Sequence, residues 1–265
     1  MTIEQAPIDK LYNQLWKEQD IKVGIYNKPS DTVEDANENT ILQLIKIMPS
    51  LKKSTNMLMI GSGFGDVARY IVEKHGCHID CLNPDPKENK IHQKKNDAAG
   101  IEGQIEVLEG DYSKTPHKLG HYDIIWSQDT LIHQEHKQKI FRDLARILKP
   151  EGRLIFTALL LDGDLTSKIK LRGMLPLSYS PDLLSANKYD RFTSNADLEK
   201  VFIKKMPNHL SAHYQKILEV MENNAKKVKD ANFLETMQTE LKNSLSAIEQ
   251  GYLTWGILQF QKRNV

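Results

Sequence analysis

Several side chains in this sequence have the types and spacing that chemistry requires. Gly61, Gly63 and Gly65 alternate after the apolar run Met57-Leu58-Met59-Ile60, with Ser62 between the first two. Side chains there would block a turn of positive φ and keep a ligand from the backbone N–H groups that open the next helix. Asp129 and His133 are four residues apart, so a helix beginning just after Trp126-Ser127-Gln128 would put a carboxylate and an imidazole on one face. Such a pair can take a proton from a nucleophile. Tyr26, Tyr112 and Trp126 offer aromatic faces, each able to hold a cationic nitrogen by roughly 0.5–2 kcal/mol. Arg172, in the run Lys168-Ile169-Lys170-Leu171-Arg172, is the leading partner for an anionic group, with Arg69 and Arg191 behind it.

The elements that must position these residues alternate in type. Apolar runs at 57–60, 78–82, 104–109, 122–126 and 153–161 read as strands, and 253–262 as a last one. Between the fourth and fifth, Ile140, Phe141, Leu144, Ile147 and Leu148 recur on one helical face, closed by Lys149-Pro150-Glu151-Gly152. Strand and helix alternating in this way predict an α/β fold with a doubly wound, mostly parallel sheet. Polar residues stand repeatedly at strand ends: Asn83, then Gly110-Asp111-Tyr112, then Ser127-Gln128-Asp129. A ligand is therefore expected along the C-terminal edge of the sheet, with Asn83 where a second strand usually meets an adenosine ribose. By itself the glycine turn suits a dinucleotide fold, an S-adenosylmethionine (SAM) fold or a bare strand-to-helix turn.

Together these residues resemble class I SAM-dependent methyltransferases. The match rests on the glycine turn, Glu109-Gly110-Asp111, Tyr122-Asp123-Ile124-Ile125-Trp126-Ser127, and the run from Arg146 through Lys149-Pro150-Glu151-Gly152 to Leu154. Further stretches are similar to the sarcosine/dimethylglycine N-methyltransferases, which make betaine, and more distantly to the phosphoethanolamine methyltransferases. These are Ile21-Lys22-Val23-Gly24-Ile25-Tyr26, Cys81-Leu82-Asn83, Trp126 through His133, His213-Tyr214 and Leu253-Thr254-Trp255-Gly256. The resemblance spans nearly the whole chain and is densest between residues 57 and 161. It implies a Rossmann-like SAM-binding core at 52–161, an N-terminal helical cap at 1–51, a helical substrate lid at 162–251 and a closing strand at 252–265. It implies SAM held by Gly24, Gly61, Ser62, Gly63, Gly65, Asn83, Asp111, Tyr112 and Gln128. A small-molecule acceptor would be held by Tyr26, Trp126, Arg172, His213 and Tyr214. His133 would be the base or acceptor-orienting residue, and Asp129 its charged partner. Another small acceptor (a phosphobase, thiol or secondary metabolite) and a SAM-binding protein without turnover are the alternatives. Three positions depart from the family pattern: Met59 where an acid is usual, Asp66 where a glycine is common, and Ala158 in place of a carboxylate after Thr157.

Composition sets the outer bounds. The chain has 265 residues, enough for one α/β domain with an inserted cap, and 36 basic against 35 acidic side chains give no electrostatic reason to expect nucleic acid. No secretory signal or apolar run of membrane-spanning length is present, so a soluble, cytoplasmic monomer or homodimer is expected, with no membrane partner. His75, Cys77, His78 and Cys81 are not expected to bind a metal, because alternate strand residues point to opposite faces. A Cys77–Cys81 disulfide is sterically disfavoured. Ile41, Leu44, Ile45 and Met48 form a helical face behind Ser30 and Asp31, either of which would cap that helix. Trp16 and Trp255 are read as packing residues.

Overall fold

The computed structural model describes residues 7–101, 103–110, 119–131, 136–163, 165–175, 183–228 and 230–264. Asp111, Tyr112 and His133 lie outside the described residues, as does the side chain of Arg172. The chain divides into two compact units. One comprises residues 44–158, 187–204 and 257–265; the other comprises 1–43, 159–186 and 205–256.

In chain order the elements are α1 (Pro7–Trp16), α2 (Val33–Ile47), β1 (Asn56–Ile60), α3 (Asp66–His75), β2 (His78–Asn83), α4 (Pro86–Ala99), β3 (Ile105–Glu109) and β4 (Tyr122–Gln128). Then come α5 (Lys137–Ile147), β5 (Leu148–Leu161), α6 (Leu165–Met174), α7 (Ala186–Ser194), β6 (Leu198–Lys205), α8 (Pro207–Asn223), α9 (Ala231–Glu249) and β7 (Leu253–Lys262). The strands form one sheet in the order β3-β2-β1-β4-β5-β7-β6, and the pairings from β3 through β5 are all parallel. Strand order therefore reverses between β1 and β4, the switch point at whose C-terminal edge such sheets bind ligands. Register lines that edge up: Ile60 pairs with both Leu82 and Ser127, Asn83 with Glu109, and Gln128 with Thr157.

The sheet unit owes its helices to local signals. α3 buries Val67, Ala68, Ile71 and Val72 and stops at Gly76, whose φ of 69° is left-handed. α4 starts at Asp85, whose carboxylate accepts from the N–H groups of Lys87 and Glu88, with Pro86 at the first helical position. α5 buries Ile140, Phe141, Leu144 and Ile147. Phe141, Phe156, Phe260 and Tyr189 pack together with ring centroids 5.4–6.0 Å apart. The offset and edge-on geometry suits the ring quadrupoles.

Three expectations need correction. The stretch 162–251 is not wholly helical, because β6 lies within it and joins the sheet as an edge strand. β5 begins at Leu148, so Lys149-Pro150-Glu151-Gly152 lies inside a strand, with Glu151 at φ 62°. The cap of α2 is Thr32. Its hydroxyl accepts from the Asp35 N–H at 3.1 Å while Asp35 Oδ2 accepts from the Thr32 N–H at 3.0 Å, a capping box; Asp31 instead accepts from the N–H groups of Asn27 and Lys28. Just past β4, Asp129 has φ 52°, and α5 starts at Lys137. His133, the residue expected to share a helical face with Asp129, lies outside the described residues.

Candidate active site

The glycine turn leaves β1 with Gly61, Gly63 and Gly65 all at positive φ (75°, 53° and 81°). Gly65 caps α3 without any side-chain hydrogen bond, so the first N–H groups of that helix are offered to a ligand by backbone alone. Ser62 is buried beside them, and its Oγ has no partner among the described residues. A Cβ on Gly61 would lie 2.1 Å from Thr130 Oγ1, and one on Gly65 would lie 2.0 Å from His92 Nε2. The turn is thus fitted closely from two sides.

Asn83, at the end of β2, is oriented from α4. Its Nδ2 donates to Glu88 Oε2 and to Asn89 Oδ1, both at 3.1 Å, and Asn89 Nδ2 donates back to the Asn83 carbonyl at 3.0 Å. On β4, Trp126 is buried and its indole N–H donates to Gln128 Oε1 at 3.1 Å, leaving the buried Gln128 Nε2 without a partner among the described residues. Ser127 Oγ ties β4 to β1 through the Ile60 carbonyl at 3.1 Å. Asp129 receives the Thr157 hydroxyl on Oδ1 at 2.9 Å and sends its own N–H to the Thr157 carbonyl at 3.1 Å. Burial, and then the charge of Asp129, push the hydroxyl of Tyr189 well above the ordinary tyrosine range.

Gly61, Ser62, Gly63, Gly65, Asn83, Trp126, Gln128 and Asp129 thus come together at the sheet edge of one unit. Glu88, Asn89, His92, Thr130 and Thr157 join them without having been singled out in the sequence. Arg69 is occupied: it donates to the Phe64 carbonyl at 2.9 Å and to Asn96 Oδ1 at 3.3 Å, and pairs with Asp66.

The other unit holds Gly24, Tyr26, His213 and Tyr214. Gly24 lets its segment lie on α2, since a Cβ there would be 2.5 Å from Ala36 Cβ. His213 is fully buried in α8 and uses both ring nitrogens on tyrosines: Nε2 with the Tyr12 hydroxyl at 2.8 Å and Nδ1 with the Tyr26 hydroxyl at 3.1 Å. The Tyr26 N–H donates to His209 Nδ1 at 3.2 Å. Burial, followed by the charges of Glu34, Asp31 and Glu219, raises the Tyr26 hydroxyl far above its usual range. Trp16 donates its indole N–H to Glu34 Oε1 at 2.5 Å and stands edge-on to Tyr12.

Burial pushes His213 down to about 3. The unfolded chain protonates this imidazole near its ordinary value of about 6.5, so the unfolded state binds more protons between those values. The contribution of neutral His213 to stability is complete above about pH 6.5 and is lost as pH falls. Urea unfolding of wild type and His213→Gln should differ in pH dependence, with the wild type losing about 2 kcal/mol more between pH 7 and pH 5. Parallel curves would show that His213 titrates normally.

A mostly parallel sheet with a glycine turn at its switch point, polar strand ends and an uncapped helix start defines a nucleotide-cofactor enzyme fold, and residues 58–156 match the methyltransferase domain family. The chain belongs to the class I SAM-dependent methyltransferases, and SAM is its cofactor. It is 28% identical over 262 residues to the sarcosine/dimethylglycine N-methyltransferase of Aphanothece halophytica, covering 98% of this chain and 94% of that one. It is 30% identical over 255 residues to the glycine/sarcosine/dimethylglycine N-methyltransferase of Actinopolyspora halophila, covering 94% of this chain but only 44% of that longer protein. Among solved structures, a candidate sarcosine dimethylglycine methyltransferase from Galdieria sulphuraria superposes with a TM-score of 0.90 at 30% identity, covering 97% of this chain and 98% of the other. The residues present suit the cofactor: among the described residues Ser62 Oγ and Gln128 Nε2 are buried and unpartnered at the ligand edge, and the glycines leave the backbone open to close approach. Among the described residues no helix is long and apolar enough to cross a membrane.

Proposed function

We propose that this enzyme methylates the nitrogen of a glycine-like amine, of the sarcosine or dimethylglycine kind. One observation carries the reading: likeness to proteins of that activity runs over nearly the full length of the chain, beyond the cofactor-binding core. SAM supplies an electrophilic methyl on a sulfonium whose thioether leaves readily. The protein's part is to place the acceptor nitrogen in line, exclude water and keep that nitrogen unprotonated. For the proton we assign His133 as base or orienting group. Asp129 is its charged partner, with its carboxylate fixed by Thr157. Tyr26, Trp126, Arg172, His213 and Tyr214 are the side chains to test for acceptor recognition, with aromatic faces for the methylated nitrogen and Arg172 for the carboxylate. Since His213 spends both nitrogens on tyrosines, its effect on an acceptor would pass through Tyr26. Asp111 and Tyr112 are assigned to the adenine. The enzyme is proposed to work in the cytoplasm as a monomer or homodimer.

Met59 and Ala158, both buried where relatives of the class commonly carry acids, favour a second reading in which another small acceptor is used. Initial rates of S-adenosylhomocysteine release over glycine, sarcosine, dimethylglycine, phosphoethanolamine and histidine-type thiols separate the two. Turnover confined to the glycine series supports the proposal. Turnover confined to phosphoethanolamine or a thiol would replace it with the second reading.

A further inference from the structure

Under the glycine turn lies a buried polar group that the proposed chemistry does not use. His92 of α4 is fully buried, and neither of its ring nitrogens completes a hydrogen bond of normal geometry among the described residues. Its ring fills the space below Gly65: a Cβ there would meet Nε2 at 2.0 Å, Cδ2 at 2.2 Å and Cε1 at 2.6 Å. One helical turn further, Asn96 is also fully buried, with its Oδ1 accepting from Arg69 Nη1 at 3.3 Å. Arg69 of α3 in turn holds the Phe64 carbonyl at 2.9 Å, so Asn96 supports the turn through Arg69 one residue before the point where the His92 ring meets it.

We propose that His92 is a positioning residue for the cofactor site, its neutral imidazole propping the backbone from Gly63 to Gly65 so that the N–H groups opening α3 face the ligand. The side chain touches backbone and not SAM. A planar ring of fixed volume suits this task, since the left-handed Gly65 leaves no side chain of its own to fix the turn's height. The charged groups facing the ring are Arg69 and Asp66 of α3 and Lys95 of α4, with the Gly63 backbone beside them. Burial, then the Arg69 charge, hold the imidazole down at about 4 against the opposing pull of Asp66, so the prop is uncharged at neutral pH.

This inference rests on the cofactor assignment. Calorimetric titration with S-adenosylhomocysteine tests both. His92→Leu should bind about tenfold more weakly or worse while keeping its fold by circular dichroism, and His92→Gln, which keeps a polar group in the space, should bind within about threefold of wild type. Gly65→Ala should cost about 10²-fold in the wild type but less than about tenfold when added to His92→Ala, because the clash is then relieved. Affinity of folded His92→Leu within twofold of wild type, or an equal cost of Gly65→Ala in both backgrounds, would overturn the inference and leave the cofactor assignment standing. If His92→Leu does not fold, the imidazole resonances of labelled wild type decide: they should shift on ligand addition, and their constancy would overturn the proposal. Absence of binding to wild type would overturn the cofactor assignment and this inference with it.

Discussion

Gly61→Val is expected to weaken SAM binding by about 30-fold or more. Gly61 sits at φ 75°, where a β-branched residue is strongly disfavoured. The first carbon of any side chain there would lie 2.1 Å from Thr130 Oγ1 and 2.7 Å from its Cγ2. Thr130 cannot easily retreat, because its hydroxyl donates to the Gln128 carbonyl at 3.0 Å. Relief must come from the turn itself, whose N–H groups would swing away from the ligand. Strain and displacement together amount to roughly 2–4 kcal/mol, a loss of affinity of about 30- to 10³-fold. Titration with SAM, alongside circular dichroism to show that the variant folds, checks this. Affinity retained within about threefold would mean that the glycine turn does not form the site.

His133→Ala is expected to lower turnover by roughly 10²-fold or more while SAM affinity stays within about threefold. An amine acceptor arrives mainly as ammonium at neutral pH and has no lone pair to attack with until a proton leaves. A neutral imidazole can take that proton, so the acid limb of the pH–rate profile should vanish in the variant. Asp129→Asn should have a smaller effect, since the amide keeps an oxygen for the Thr157 hydroxyl, which Asp129 Oδ1 accepts at 2.9 Å. If cofactor affinity collapses together with turnover, His133 belongs to the wall of the cofactor site. The base must then be sought at Asp129 or among residues 162–251.

The parts legible in the sequence are those where backbone physics leaves little choice. Apolar runs such as Met57-Leu58-Met59-Ile60 can only be buried strands, and three alternate glycines require the positive φ values they adopt. β6 was not legible because Leu-Glu-Lys-Val-Phe-Ile-Lys-Lys, on the edge of the sheet, is largely solvent-facing and carries the charges of a solvated helix face. Lys149-Pro150-Glu151-Gly152 has turn chemistry, yet the flanking pairing keeps it inside β5. At the site, strand-end residues were readable from position alone. Glu88, Asn89 and His92 were not, because they lie on α4, whose Lys-rich sequence looks exposed throughout although Asn89, His92 and Asn96 are buried. A buried His and two buried Asn at helical spacing beside a glycine turn is the signal that would have found them.

Incubation of the enzyme with SAM bearing a trideuterated methyl group and dimethylglycine, followed by mass spectrometry of the small-molecule fraction, tests the proposed reaction most directly. Betaine carrying one trideuterated methyl on nitrogen, formed in step with S-adenosylhomocysteine and absent without enzyme, is the expected product. Sound binding of SAM with no labelled product from dimethylglycine, sarcosine or glycine would contradict N-methylation of a glycine-like amine.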